Sequence, residues 1–179
     1  TYFNKQEFDS FMSNVPSRVL VILDEAYFEY AESESDYPDS MIYRYDNVIT
    51  LRTFSKAHAL AGLRVGYGFA HDSLISNLLK VKLPFEPSMV AQTAALSALS
   101  DTDYIKQSIK MNDDGMKQME SIFKKYEIDF IPSHANFITA KFKDKDSAKT
   151  FYQFLLQSGV ITRYLSSFGL ENCVRVTIG

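Results

Sequence analysis

Residues 50–70, TLRTFSKAHALAGLRVGYGFA, place a single lysine, Lys56, between two runs of residues that favour strands. The run before the lysine is rich in β-branched residues, and the run after it is spaced by glycines. Further upstream, residues 19–23 (VLVIL) form a continuous apolar run that leads directly into Asp24. Such a run is typical of a strand covered on both faces, as in a parallel sheet. The pattern predicts an α/β fold with a charged group just beyond the end of each of two strands.

Composition and charge narrow the class of protein. With 179 residues, of which 46% are hydrophobic and 23% charged, the chain has the make-up of a globular protein with a sizeable core. Its net charge of −3 and its lack of an extended basic cluster argue against nucleic-acid or membrane partners. A lone cysteine, Cys173, is expected to be a buried thiol, and no apolar run approaches the roughly 18 residues of a membrane span. We therefore expect a cytoplasmic protein.

The periodic segments predict two domains. Residues 1–100 contain strand-like runs among helical ones, and a long helix predicted from about residue 103 to 126 opens a second α/β region, residues 101–179. In the helix predicted within residues 71–82, begun by Asp72 or Ser73, the leucines and isoleucine are expected to form one buried face. The helix within residues 87–100 is expected to begin at its proline. The predicted strands are 19–23, 47–54, 64–70, 136–142, 160–165 and 173–178.

The chemistry near Lys56 has a specific and an ordinary interpretation. A lysine near a sheet edge is usually a solvated charge, and Asp24 alone is equally well a turn or cap residue. A lysine can instead form a Schiff base with an aldehyde. Hydroxyls of Thr53 and Ser55 and the guanidinium fork of Arg64 make a set suited to phosphate. Together, these groups meet the demands of pyridoxal 5'-phosphate for a Schiff base, a phosphate anchor and an acid at the ring nitrogen.

Two stretches carry a family resemblance. VILDEAYFEYA (21–31) and LRTFSKAHALAGLRVGYGFA (51–70) resemble the cofactor-binding core of the fold-type I pyridoxal phosphate-dependent aminotransferases of class I/II. The similarity continues through SHANFITAKF (133–142) and GVITRYLSSFGLENCVRVTIG (159–179), and it is greatest to the histidinol-phosphate aminotransferase branch. The resemblance implies that residues 1–100 are the second half of a large cofactor domain with a mixed, mostly parallel sheet. Residues 101–179 would then be most of the smaller α+β domain.

The resemblance also implies roles for individual residues. Lys56 would hold the cofactor as a Schiff base and then move a proton at the substrate carbon. Asp24 would keep the pyridine nitrogen protonated, and Tyr27 would bond to the ring's phenolic oxygen. Thr53, Ser55 and Arg64 would bind the cofactor phosphate. The substrate would be bound by Arg163, Arg175 and Asn136, although each of the two arginines is otherwise interpreted as an ordinary surface charge.

The implied activity is transfer of an amino group between histidinol phosphate and 2-oxoglutarate, a step of histidine biosynthesis, by a homodimer that uses no metal. Two alternatives remain open. One is another fold-type I aminotransferase that uses an aromatic or acidic amino acid, and the other is a non-catalytic binding domain with the same fold. Because family members are roughly twice as long, we expect the chain to be a fragment that is inactive by itself.

Overall fold

The computed structural model describes residues 2–40, 42–43 and 45–179. Contacts between residues divide this part of the chain into two compact units, Tyr2–Ser108 and Ile109–Gly179. The long helix α5 (Thr102–Lys125) begins in the first unit and ends in the second. The assignment of these units to a large cofactor domain and a small domain remains a prediction. No helix among the described residues has the length and apolar character needed to cross a membrane.

The first unit is built around a mixed sheet. Its strands β1 (Val21–Asp24), β2 (Val48–Thr53) and β3 (Gly66–Ala70) lie in the order β1-β2-β3. β1 and β2 pair in parallel, whereas β2 and β3 are antiparallel. The predicted mixed sheet is confirmed. It is not mostly parallel among its three described strands, because one of their two pairings is parallel and the other antiparallel. Its helices are α1 (Lys5–Asn14), α2 (Phe28–Ala31), α3 (Asp72–Val81) and α4 (Met89–Ser100).

Helix α1 shows how local sequence fixes an element. The side chain of Asn4 accepts a hydrogen bond from the Glu7 amide, and the Glu7 carboxylate accepts one from the Asn4 amide, which forms a capping box. The apolar residues Phe8 and Met12, one turn apart, are buried in a cluster with Leu23 of β1. α1 therefore packs against the strand that ends in Asp24.

The second unit is an antiparallel sheet with helices. Strands β4 (Asp129–Ile131), β5 (Phe137–Lys141), β6 (Arg163–Tyr164) and β7 (Cys173–Thr177) lie in the order β4-β5-β7-β6. Helix α6 (Lys145–Gln157) lies between β5 and β6 in the chain. The core joins the inner face of α5 to β5 through Met116, Phe123, Ile138 and Ala140. Cys173 is buried, as predicted.

Several predictions about helices are wrong. The cap of α3 is His71, whose Nδ1 accepts the Ser73 amide, and not Asp72 or Ser73. None of the residues of α3 is fully buried: Leu74 and Ile75 of its predicted buried face are half-buried, and Leu78 and Leu79 are exposed. Helix α4 begins at Met89 after a Ser88 cap, and not at the proline. Periodicity identifies an apolar face, but it does not show what covers that face.

Candidate cofactor and anion sites

The carboxyl ends of β1 and β2 meet at one edge of the sheet. Asp24, the last residue of β1, is aligned with Leu51 of β2, and the next amide, that of Glu25, donates to the Leu51 carbonyl at 2.9 Å. Lys56 follows three residues after the end of β2. The predicted parallel pairing of these two strands is therefore present, and it brings an acid and an amine to the same edge.

A turn after Asp24 places the aromatic ring of Tyr27. The Asp24 Oδ1 atom accepts a hydrogen bond from the Ala26 amide at 3.1 Å, which bends the chain out of the strand. Tyr27 then stands at the start of α2. Asp24 itself is exposed, so its other carboxylate oxygen remains open to a ligand.

Lys56 lies against Tyr27. Its Nζ atom is 5.1 Å from the centroid of the Tyr27 ring, and both residues are half-buried. Within the described ranges, no carboxylate lies within ion-pair distance of the Lys56 amine. An ordinary surface lysine would extend into solvent, whereas this one is directed over an aromatic face beside the strand ends.

The residues that flank Lys56 form a closed turn. The Thr53 hydroxyl accepts a hydrogen bond from the Ser55 amide at 3.1 Å, which holds these two residues in one tight turn. The Phe54 amide donates to the Val65 carbonyl at 3.2 Å and closes the base of the loop. Phe54 is buried in a cluster that includes Val65 and Ala91 of α4. The loop that carries Lys56 is thus anchored from below by apolar packing.

Arg64 lies at the far end of that loop, with a backbone φ of 51°, in the left-handed region. A residue other than glycine in this region carries backbone strain, which is a frequent property of ligand-binding loops. The guanidinium Nη1 donates to the Ala61 carbonyl at 2.8 Å. Over the described part of the chain it makes no hydrogen bond with Thr53 or Ser55, so these predicted phosphate ligands are on one loop without direct contact.

Two buried pairs beside these residues were missed by sequence reasoning. Arg52 Nε donates to Glu25 Oε2 at 2.9 Å, and both side chains are almost wholly buried. His58 Nε2 lies 3.5 Å from Glu29 Oε1, again with both side chains buried. Burial lowers the pKa of His58 and raises the pKa of Glu29. Alternation along each strand predicts that Glu25 and Arg52 extend to the face opposite Asp24 and Thr53. It gives no sign that the two side chains pair with each other.

In the second unit, Arg163 and Arg175 are direct cross-strand partners on β6 and β7. Residues directly opposite each other in a sheet extend to the same face, where two like charges destabilise the pair unless an anion lies between them. The Arg175 Cζ lies 4.9 Å from the centroid of Phe137, and its Nε is buried with no hydrogen-bond partner among the described residues. A buried guanidinium donor without a partner is costly in a folded protein, and an anionic ligand would satisfy it.

Asn136, the third predicted substrate residue, lies directly before β5. Its carbonyl accepts the Ile178 amide at 2.8 Å, which joins the start of β5 to the residue after β7. The preceding residue is fixed by a buried side chain, since Asn112 Nδ2 donates to the Ala135 carbonyl at 3.2 Å. These two bonds fix the backbone at Asn136, which is a half-buried residue.

Comparisons with known proteins agree with this arrangement. The family model described as "Aminotransferase class I and II" matches residues 1–179. The chain is 43% identical to Histidinol-phosphate aminotransferase 2 of Carboxydothermus hydrogenoformans and 42% identical to the Histidinol-phosphate aminotransferase of Geobacillus sp. (strain WCH70). Each alignment covers 100% of this chain and 49% of the relative. The chain thus spans about half the length of the curated relatives it matches.

Solved structures show the same fold. Histidinol-phosphate aminotransferase from Sinorhizobium meliloti, in complex with pyridoxal-5'-phosphate, superposes with a TM-score of 0.91 at 28% identity. That superposition covers 99% of this chain and 49% of the solved one. The histidinol-phosphate aminotransferase from Clostridium acetobutylicum superposes with a TM-score of 0.86 at 25% identity, over 99% of this chain and 54% of its own. Since the family model extends over its full length, the chain belongs to the aminotransferase class I and II family.

Proposed function

We propose that the protein of which this chain is a part is a pyridoxal phosphate-dependent aminotransferase that exchanges an amino group between histidinol phosphate and 2-oxoglutarate. The family membership and the names of the relatives support this activity. The observation that carries the proposal is the Lys56 amine, which lies 5.1 Å from the Tyr27 ring centroid at the strand edge that also presents Asp24.

The donor set of the first unit fits pyridoxal phosphate. When bound, this cofactor supplies an aldehyde that condenses with amines and a ring that withdraws electrons from the reacting carbon. The Lys56 amine is free of carboxylate partners in the described residues and is available to hold the aldehyde carbon. The exposed Asp24 carboxylate suits a protonated ring nitrogen, since an ionised carboxylate only accepts hydrogen bonds. Tyr27 can donate its phenolic proton to the oxygen of the ring.

The phosphate end of the cofactor would be bound by the loop around Lys56. Thr53 and Ser55 supply hydroxyl donors within one turn, and Arg64 supplies a fork that matches phosphate oxygens. For Arg64 to take part, its Nη1 must exchange the Ala61 carbonyl for a phosphate oxygen. Because a charge-assisted bond is stronger than a neutral one, that exchange is favourable once an anion is present.

Lys56 would also act in the proton transfer. In amino-group exchange the substrate amine replaces the lysine amine, so Lys56 becomes a free base. We propose that this amine would take the proton from the substrate Cα and deliver it to the carbon that was the cofactor's aldehyde carbon. Its place over the Tyr27 ring, on a loop anchored by Phe54, restricts the directions in which the amine can move.

The arginine pair of the second unit supports a phosphorylated substrate. Histidinol phosphate carries a phosphate and no carboxylate, whereas phenylalanine and glutamate carry carboxylates. A doubly charged phosphate suits two arginines that are direct partners in the register of β6 and β7. We propose that Arg163 binds this phosphate, that Arg175 binds the carboxylate of the oxo acid or the equivalent end of the amino donor, and that Asn136 is a further substrate contact.

The test compares substrates in the full-length protein. Each amino donor, histidinol phosphate, phenylalanine or glutamate, converts the cofactor to its amine form, and the change in visible absorbance gives the rate. Loss of one charge-assisted contact is worth about 1.5 to 3 kcal/mol, so Arg163→Ala is expected to slow the histidinol phosphate reaction by about 10- to 100-fold. The reaction with phenylalanine should change much less. Arg18→Ala, at an exposed arginine of the first unit, is the matched control.

The outcomes separate the alternatives. Equal losses for all three donors in Arg163→Ala would contradict the role of Arg163. A wild-type protein that reacts fastest with phenylalanine or glutamate would be a different aminotransferase of the same fold. A full-length protein that retains no visible absorbance once the unbound pyridoxal phosphate has been removed would be a non-catalytic domain.

We also propose that the active protein is a homodimer. Large apolar side chains on α3, on α4 and on the segment between them are exposed in the first unit, with Phe85 at 95% and Val81 at 76% of full exposure. Exposed apolar surface of this kind requires cover, either by the remaining residues of the protein or by a second copy. Sedimentation equilibrium of the full-length protein tests this directly, because a monomeric mass would contradict the proposal.

A further inference from the structure

An ion pair is buried beneath the strand edge that carries the proposed cofactor contacts. Arg52 and Glu25 retain 9% and 2% of their side-chain exposure, and Arg52 Nη2 lies 2.8 Å from Glu25 Oε2. A second bond joins Arg52 Nε to the same oxygen at 2.9 Å. Removing two charges from water costs several kcal/mol per ion, which such a pair at best offsets. Stability alone therefore gives no reason for these two charges to be there.

Further contacts connect this pair with its surroundings. The Arg52 Cζ lies 3.4 Å from the centroid of the Phe28 ring, a stacked arrangement that fixes the plane of the guanidinium. Arg52 Nη2 also lies 3.2 Å from Asp39 Oδ1, and Glu25 Oε1 accepts the Ser40 amide at 3.3 Å. The pair is thus held from several directions and has little freedom to rearrange. We refer to Glu25, Phe28 and Arg52 as the buried cluster.

Each member of the buried cluster is the chain neighbour of a proposed cofactor contact. Glu25 follows Asp24, Phe28 follows Tyr27, and Arg52 precedes Thr53. Adjacent residues share a peptide plane, so a side chain fixed on the buried side also fixes the backbone from which its neighbour extends. The cluster therefore joins the end of β1, the start of α2 and the end of β2 behind the edge that would bind the cofactor.

We propose that Glu25 and Arg52 are positioning residues, which hold Asp24, Tyr27 and Thr53 in the arrangement that pyridoxal phosphate requires. This inference depends on the proposed function. Neither residue touches the cofactor in this account. Their effect is transmitted through the three neighbouring backbones, as with the outer partners that orient the ligands of a metal or cofactor site.

The experiment uses the full-length protein and separates stability from positioning. In the double variant Glu25→Met/Arg52→Met, apolar side chains of similar length replace both charges, which for buried ion pairs is often neutral or stabilising. The melting temperature is therefore expected to stay near that of the wild type. Amide hydrogen exchange of residues 53–56 in the cofactor-free protein should become faster. The affinity for pyridoxal phosphate, followed by visible absorbance, should fall by roughly tenfold or more.

Two further variants complete the design. Arg52→Lys keeps the charge but loses the planar fork and the stacking on Phe28, so it should fold and show the same two effects more weakly. If the double variant fails to fold, Arg52→Lys alone tests the positioning role. The matched control removes an exposed ion pair of α5, Lys110→Met/Asp114→Asn, and should change neither exchange at residues 53–56 nor cofactor affinity.

The outcomes distinguish this inference from the proposed function. Wild-type affinity and wild-type exchange in both the double variant and Arg52→Lys would overturn the positioning role, while the proposed function would stand. If the wild type itself binds no pyridoxal phosphate, the proposed function is overturned. In that case the positioning role of Glu25 and Arg52 is overturned as well. This holds even if amide hydrogen exchange at residues 53–56 is faster in the variants.

Discussion

Among single side chains, Asp24 shows how one hydrogen bond organises a site. Its Oδ1 accepts the Ala26 amide and turns the chain out of β1, and Tyr27 follows at the start of α2. The ring of Tyr27 then meets the Lys56 amine that arrives from the neighbouring strand. An acid of a type common in turns thus helps to place the aromatic partner of the lysine.

Glu29 and His58 form a second contact between the segment after β1 and the segment after β2. Glu29 follows Tyr27 by two positions, and His58 follows Lys56 by two positions. Their side chains lie 3.5 Å apart, and the His58 ring packs on Phe54 with 4.9 Å between centroids. Glu29 Oε2 and His58 Nδ1 have no hydrogen-bond partner among the described residues. The pair therefore ties the two segments together while it remains sensitive to protonation.

We predict that His58→Phe removes an acid-induced loss of stability. Burial lowers the pKa of His58 below its ordinary value of 6.5, so the folded protein binds fewer protons than the unfolded chain as the pH falls. The stability contributed above pH 6.5 is lost as the pH falls from that value through the lower, folded-state pKa. Urea midpoints of the cofactor-free protein, measured across this range, should vary less with pH in the variant.

Glu29 acts in the opposite direction and provides an internal comparison. Its pKa is raised above 4.5 by burial, so its contribution favours the folded state at low pH and is lost as the pH rises through its folded-state pKa. That component should persist in His58→Phe. The control is His71→Gln at an exposed histidine, which should follow the wild-type profile. An unchanged pH profile in His58→Phe would show that this ring is not the titrating group.

In helices and strands, the limits of sequence reasoning have a physical origin. The parallel pairing of β1 and β2 follows from their apolar runs, because such runs require cover on both faces. The apolar spacing in α3 predicts a buried face just as clearly, yet Leu78 and Leu79 are 46% and 61% exposed. Periodicity shows which residues share a face, but it does not identify the surface that covers them. Contacts such as Arg52 with Glu25 join residues 27 positions apart, and no local pattern specifies them.

Helix α5 contains a glycine whose reason appears only in the structure. A Cβ atom on Gly115 would lie 2.5 Å from Ile178 Cγ2, far inside van der Waals contact. Glycine in a helix costs about 1 kcal/mol relative to alanine, so its presence here reflects the close approach of the segment after β7. The Ile178 side chain thus leaves no room for a Cβ atom at position 115.

We predict that Gly115→Ala destabilises the protein despite its better helix propensity. Overpacking of a tight contact costs about 1 to 3 kcal/mol, which equals or exceeds the propensity gain of about 1 kcal/mol. The further substitution Ile178→Ala removes the methyl group that clashes and should recover the loss that Gly115→Ala adds. Gly62→Ala, where a Cβ would meet nothing within 4 Å, is the control. Urea unfolding measures the wild type, Gly115→Ala, Ile178→Ala, the double variant and the control, and additive losses in the double variant would contradict the predicted clash.

For the chain taken together, the chemistry is divided between its two units. The first unit carries the amine, phenol and carboxylate suited to pyridoxal phosphate, and the second carries the arginine pair suited to an anion. With a net charge of −3, the chain has no general attraction for anions, so the proposed binding of a phosphorylated substrate would depend on these local guanidinium groups. Family membership was predictable from the motifs around Lys56. That Arg163 and Arg175 are cross-strand partners could be seen only from the strand register in the structure.

We propose above all that Lys56 forms the covalent bond to the cofactor. Borohydride reduction of the full-length protein with pyridoxal phosphate makes a lysine–cofactor bond permanent, and peptide mass spectrometry then identifies the modified residue. The label is predicted on Lys56 alone, at close to one per chain, and Lys56→Arg should remove it without loss of the fold. A label on another lysine, or an unlabelled Lys56 in a folded protein saturated with pyridoxal phosphate, would contradict this account.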